Sequence, residues 1–284
     1  MKERHLGVIR SMYRYPVKSM LGEQVGELAI GTGGGIGDRA WALRELATGR
    51  IVSGKKWGAM FNFSASYPSK PDETASAPPR ITIPGGQIVN AGDPDASAMI
   101  SEALGHKVKL ERAEAGKSAR AILDRDTAFG DMRAEDVFAM YEQAFPGITG
   151  YDDWLMPQGT FFDAAPLHLL TAATLNRLAE LCGGDSRFDV RRFRPNLFID
   201  TDGANGFPED EWIGATIRVG QSVRIAIALP VFRCVMTTLA QTDLPHDPAI
   251  LRTVAKHHAA NAGVYAAVIS PGVVRAGDSV SMVI

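Results

Sequence analysis

Residues 26–53 read GELAIGTGGGIGDRAWALRELATGRIVS. Three short strand candidates lie in this stretch: Gly26–Ile30, Arg39–Glu45 and Arg50–Ser53. The breaks between them, Gly31–Gly37 and Ala47-Thr48-Gly49, suit chain reversals rather than helix interiors. Gly7–Tyr13 is a fourth candidate of the same kind. Many short strands punctuated by glycine predict a barrel or sandwich. Two nucleotide-binding motifs are nearly matched here and both fail. Gly49–Lys56 has the glycines and Lys55 of a phosphate loop, but Lys56 stands where a magnesium-holding Ser or Thr is needed. Gly35, Gly37 and Ala40 fit the dinucleotide glycine spacing, but a strand follows where a helix must. A strand connection needing positive φ is the better reading of the glycine cluster.

Downstream, residues 68–80 hold four prolines and read as a surface loop. Arg80–Ile83 and Gln87–Asn90 read as a hairpin around Pro84-Gly85-Gly86. Three helices carry end signals. Asp93-Pro94 opens one that closes at Gly105. A second runs from Thr171 to Cys182 and stops at Gly183-Gly184. A third opens at Asp247-Pro248 and reaches His258. Further strands are predicted at Phe193–Ile199, Ala215–Val219, Ser222–Leu229, Tyr265–Ile269 and Ser279–Ile284. The class is β-rich α+β. The length of 284 residues suits two domains, drawn at 1–118 and 119–284.

Composition narrows the function. The chain has 30 Lys and Arg against 32 Asp and Glu, a net charge of −2. That balance does not suit general nucleic-acid binding, which needs a broad basic surface. Two cysteines exclude a disulfide framework and a four-cysteine zinc site, and point to a reducing compartment. No signal-peptide core and no membrane-length apolar run is seen, so a cytoplasmic location is expected.

His257 and His258 are adjacent, not i, i+4, and suit a helix C-terminal dipole better than a metal. Asp152-Asp153 and Glu209-Asp210-Glu211 read as solvated loops. Arg187, Arg191, Arg192 and Arg194 crowd into eight positions. In strand periodicity Arg194 and Asn196 share a face opposite Phe193, Leu197 and Ile199. Guanidinium forks beside an amide suit an oxyanion or phosphate; a salt-bridged edge fits equally. Cys234 follows a strand that Pro230 is expected to end, where functional groups concentrate. Arg233 beside it would favour a thiolate, although pattern alone leaves an inert buried thiol ahead. Cys182, at an apolar helix end, reads as a core cysteine.

Five motifs in order resemble one family. They are Tyr15-Pro16-Val17-Lys18-Ser19, Gly37-Asp38-Arg39-Ala40-Trp41, Phe193-Arg194-Pro195-Asn196, Arg233-Cys234 with Thr237-Thr238, and Val274-Arg275-Ala276-Gly277-Asp278. They resemble the MOSC superfamily, named for the C-terminal domain of molybdenum cofactor sulfurase, in the subgroup with an N-terminal MOSC β-barrel domain. The resemblance implies a molybdenum cofactor (molybdopterin). It also implies a role like that of the amidoxime-reducing relatives, which reduce N-hydroxylated or other N-oxygenated small molecules. In those relatives the matching cysteine ligates molybdenum, which implies Cys234. Lys18, Ser19 and Arg39 match phosphate contacts, Arg194 and Asn196 further cofactor contacts, and Asp163 an acidic residue beside the metal. Phe232 and Ala164 stand where relatives often carry hydroxyls, which implies looser cofactor binding. No iron–sulfur or haem segment is present, so electrons would come from a separate protein. Two other readings stay open. One is a metal-free sulfur carrier or C–S bond enzyme using Cys234 as persulfide carrier or nucleophile; the other is a non-enzymatic cofactor-delivery protein.

Overall fold

The computed structural model describes residues 2–72, 76–114, 160–162 and 164–284. The boundary expected near 118 and Asp152-Asp153 lie outside the described residues. In chain order the strands are β1 Glu3–Arg14, β2 Glu23–Val25, β3 Glu27–Gly31, β4 Gly34–Gly35, β5 Trp41–Glu45, β6 Ser64–Ser66, β7 Arg80–Thr82, β8 Ile88–Asn90, β9 Val108–Arg112, β10 Leu167–Thr171, β11 Leu197–Asp200, β12 Thr216–Val219, β13 Val223–Phe232, β14 Asn261–Ser270, β15 Gly272–Arg275 and β16 Ser279–Val283. Among the described residues the α-helices are α1 Ala96–Leu104, α2 Ala172–Cys182, α3 Val190–Phe193 and α4 Pro248–His258. The class is the expected β-rich α+β.

The chain forms two compact units that are not consecutive stretches. One comprises Met1–Arg14, Gln24–Ile36 and Ala165–Ile284; the other comprises Tyr15–Glu23 and Gly37–Ala164.

In the first unit seven strands run in the order β11-β10-β14-β13-β12-β16-β1, and β1 pairs back onto β11 to close a barrel. Closure leaves no open edge along this ring. The β10–β11 pair is parallel, so the chain between them must cross over, and it does so through α2 and α3. Ile9, Leu169, Leu197, Trp212, Ile217, Ile225, Val264 and Val280 fill the interior. Alternation is clear in β12 and weaker in β13. Gly7 sits at a register shift of β1 with φ 146°. A Cβ there would lie 2.0 Å from the Asp200 carbonyl oxygen, so only glycine lets β1 approach β11 so closely. The glycine cluster forms the β3–β4 hairpin around Thr32-Gly33, which confirms a strand connection.

The helices of this unit begin and end where their caps dictate. Thr171 accepts a hydrogen bond from the Thr174 N–H, and Gly183 ends α2 at φ 65°. Asp247 caps α4 with Pro248 at its first position. Leu175, Leu178, Phe193, Ile250 and Val254 bury a second core under these helices.

Glu209 differs from its sequence reading, and His258 gains partners that the reading did not name. Glu209 is fully buried, not solvated. Its carboxylate accepts from the Thr171 hydroxyl at 2.6 Å, and burial pushes its pKa up. His258, in the last turn of α4, stacks on Phe207 with centroids 3.7 Å apart. Its Nδ1 lies 2.7 Å from the Asn261 carbonyl oxygen and its Nε2 lies 2.7 Å from Asp210 Oδ2. Both nitrogens therefore face acceptors, which the imidazolium satisfies. Burial lowers the His258 pKa, but the Asp210 hydrogen bond and charge outweigh it and the net shift is upward from 6.5. This stabilisation is fully present below pH 6.5 and is lost as pH rises through the higher folded-state value. The expected result is a wild-type advantage over His258→Gln in urea unfolding that shrinks as pH rises from 6 to 9. An advantage constant with pH contradicts this.

In the second unit β5 pairs with β9, and β6, β7 and β8 form a meander. Parallel bridges Val17–Trp41 and Leu21–Ser64 tie the opening segment to both sheets. Val17, Leu43, Met60, Phe63, Ile81, Val89, Ile100 and Leu110 form its core. Two expectations shift and a third holds. Arg50–Ser53 is not a strand; Ile51 makes only an isolated bridge to Arg44. α1 starts at Ala96 rather than at Pro94, because Asp93 accepts from the Asn90 N–H in a turn. The predicted hairpin is present as β7–β8.

Candidate functional site

The residues singled out above fall into two clusters, one in each unit. In the second unit Lys18, Ser19 and Arg39 come from two segments joined by backbone hydrogen bonds. The Arg39 N–H donates to the Tyr15 carbonyl at 2.7 Å, and the Lys18 N–H donates to that of Trp41 at 2.8 Å. Lys18 and Ser19 are buried, at 3% and 4% exposure. The Lys18 ammonium donates to the Phe161 carbonyl oxygen at 2.9 Å. The Arg39 guanidinium lies over the Tyr15 ring and near that of Phe162, at 4.6 and 5.7 Å from their centroids. It also forms a close ion pair with Asp38. Asp38 is 1% exposed and accepts from the Tyr15 N–H at 2.7 Å. The sequence reading missed Asp38 as the anchor of this cluster, although its place beside Arg39 in the motif was the available signal. Asp163 lies outside the described residues.

The first unit holds the other cluster. Cys234 lies two residues past the end of β13 and is half-buried; neither cysteine is in a disulfide. The strand does not end at Pro230. It continues to Phe232, with register shifts on both sides of the proline, where the missing N–H costs no ladder bond. Thr237 donates its N–H and its hydroxyl to the Cys234 carbonyl, each at 3.1 Å. Arg233 turns to α3: its Nη2 donates to the Phe193 carbonyl at 2.5 Å, and its guanidinium lies 5.2 Å from the Phe193 ring centroid. Cys182 is half-buried rather than a core residue.

The expected strand over Phe193–Ile199 is corrected. Val190–Phe193 is a helical turn, Arg194 caps it in the left-handed conformation at φ 56°, and β11 begins only at Leu197. Arg194 and Asn196 therefore do not share a strand face. The four arginines also diverge. Arg187 and Arg191 pair at the surface with Asp189 and Asp243. Arg192 is buried, and Arg194 is 8% exposed. The Asn196 amide joins two strands, accepting from the His168 N–H at 3.1 Å and donating to the Tyr13 carbonyl at 3.3 Å.

Backbone geometry gives one shared mark. Among the described residues seven non-glycine residues have positive φ, and they include Ser19 (63°), Arg39 (46°) and Arg194 (56°). Such residues cost about 1–3 kcal/mol each and cluster at functional sites. Three of the five residues assigned to cofactor binding carry this cost. Their donor types, an ammonium, a hydroxyl and guanidinium groups, suit a phosphate. A thiol suits a soft metal ion. Among the described residues no group of three or more His, Cys, Asp or Glu is placed to hold a metal ion.

A family model for the MOSC domain matches residues 156–281, and one for the MOSC N-terminal beta barrel domain matches residues 6–123. The chain belongs to the MOSC superfamily. MOSC domains are associated with molybdenum-cofactor binding. Among solved structures, this MOSC chain is similar to the YuaD protein from Bacillus subtilis at 13% identity and a TM-score of 0.46, covering 99% of this chain and 97% of that one. It is also similar to YiiM from Geobacillus stearothermophilus at 17% identity and a TM-score of 0.31, covering 42% of this chain and 54% of that one. No curated protein matches the chain. Among the described residues of this MOSC protein no helix is long and apolar enough to cross a membrane.

Proposed function

We propose that this MOSC protein binds a molybdenum cofactor and reduces N-hydroxylated or other N-oxygenated small molecules with electrons from a separate protein. The observation that carries the reading is Cys234. It is a half-exposed thiol just past a barrel strand, with its carbonyl held by Thr237. When bound, the molybdenum centre would supply two-electron oxygen-atom transfer chemistry.

The chain's own residues do the rest. Cys234 would ligate the metal as a thiolate. Lys18, Ser19 and Arg39 would hold the cofactor's phosphate through charge-assisted hydrogen bonds, each contributing about 1.5–3 kcal/mol. Arg194 and Asn196 would contact the cofactor further, and Asp163 would lie beside the metal. Asp38 keeps the Arg39 guanidinium in one place, so little side-chain entropy is lost when an anion arrives.

A second reading is favoured by Phe232 and Ala164, where hydroxyls that would add cofactor contacts are missing. There Cys234 works without metal, as a persulfide carrier or nucleophile in C–S chemistry. The experiment that separates the two is the molybdenum and pterin content of protein made in a host that synthesises the cofactor.

A further inference from the structure

We infer that Arg192, outside every motif assigned above, is a positioning residue that holds the Cys234 segment in place; this rests on reading Cys234 as the working thiol. Two adjacent residues of α3 grip the chain on both sides of the cysteine. Before it, Arg233 is fastened to the Phe193 carbonyl and ring. After it, the Arg192 guanidinium gathers the turn. Its Nη1 donates to the carbonyls of Thr237 (3.3 Å) and Leu239 (3.2 Å), and its Nη2 to that of Pro245 (2.7 Å). Its Nε donates to the Arg187 carbonyl at 3.1 Å. Thr237 then passes the restraint to Cys234 through two hydrogen bonds to the Cys234 carbonyl.

The chemistry of this residue is unusual. Arg192 is 1% exposed, and its hydrogen bonds go to four carbonyls rather than to a carboxylate. A flat fork with five fixed N–H groups can meet four divergent carbonyls, whereas an ammonium offers three donors from one atom. A buried charge spent on backbone carbonyls fixes the path of the Cys234–Pro245 chain alongside its short 3₁₀ turn, Val235–Thr238, and the Gln241–Leu244 bridge. The sulfur is thereby kept half-buried in one setting. Loosening the turn exposes it.

The test is alkylation of the full-length folded chain by iodoacetamide, with rates followed separately at Cys234 and Cys182 by peptide mass spectrometry. Cys182 is the internal control, since a general loss of stability exposes both thiols together. Arg192→Lys should speed alkylation of Cys234 by about tenfold, the factor that one charge-assisted hydrogen bond contributes to a local opening equilibrium. Arg192→Met should speed it further, and Cys182 should stay within about twofold in the two variants. Thr237→Val spares the arginine cage but removes the hydroxyl bond to the Cys234 carbonyl. It should also act on Cys234 alone, which keeps the test open if Arg192→Met does not fold. Unchanged alkylation of Cys234, or equal rises at both thiols, overturns the inference. Alkylation is read on chain made without molybdenum, since a bound metal would shield the thiol. A selective rise, in a protein that takes up no molybdenum when the cofactor is supplied, would sink the cofactor reading and leave the positioning role standing.

Discussion

Cys234→Ala should abolish reduction of N-hydroxylated substrates in the presence of an electron donor, whereas Cys182→Ala should retain it. The contrast has a structural basis. Cys234 follows β13 in an extended conformation, with its carbonyl tied by Thr237 and its flanking residues tied to α3. Cys182 is the last residue of α2, before the left-handed Gly183. On the proposed reading Cys234 would ligate the metal, so the expected loss in kcat is at least 10³-fold, on the order of 4 kcal/mol in barrier. Cys182→Ala removes a half-buried sulfur and should cost about 1 kcal/mol of stability. Full activity in Cys234→Ala, or matched losses in both variants, contradicts the assignment.

Arg39→Ala should destabilise the fold by about 3 kcal/mol, the low end for removing one partner of a buried ion pair. Asp38 has no exposed side-chain surface and Arg39 only 15%, so the truncation strands a buried carboxylate. The Tyr15 N–H still reaches that carboxylate, which keeps the loss at the low end. Adding Asp38→Asn removes the stranded charge, and the double variant should recover most of the stability in urea unfolding. Arg39→Lys should fold close to normally and separate the phosphate role from the structural one. If Arg39→Ala and Asp38→Asn are simply additive, the pair does not couple and the cluster is not built as described.

The parts of this molecule legible in the sequence are those whose physics is local. Thr171, Gly183, Asp247 and Pro248 set the bounds of α2 and α4 because caps act within one turn. The glycine cluster was legible as a strand connection because it lacked the helix that a phosphate-binding reading needs. β10 was not seen: Leu167–Leu170 are buried on both faces, so the strand shows no alternation, as is usual beside a parallel neighbour. Arg194 was misplaced because alternation across Phe193–Ile199 mimics a strand. The four-residue helix α3 is too short to show its own period, and the left-handed cap leaves no mark in a sequence at an arginine. Glu209 looked solvated at the head of an acidic run; its partner Thr171 is 38 residues away. The candidate site was legible as a set of residue types, by resemblance. The devices that hold those residues, Asp38 under Arg39 and Arg192 behind Cys234, depend on side-chain geometry that no local pattern encodes.

Metal content tests most directly whether Cys234 holds molybdenum. The chain is to be made in a host that synthesises the cofactor, and molybdenum and pterin are counted per chain for wild type and for Cys234→Ala. Wild type should carry molybdenum, in less than full amount because Phe232 and Ala164 replace hydroxyls, and Cys234→Ala should show a clear loss of metal. Negligible and equal molybdenum in both proteins would contradict this and place the sulfur chemistry of Cys234 first.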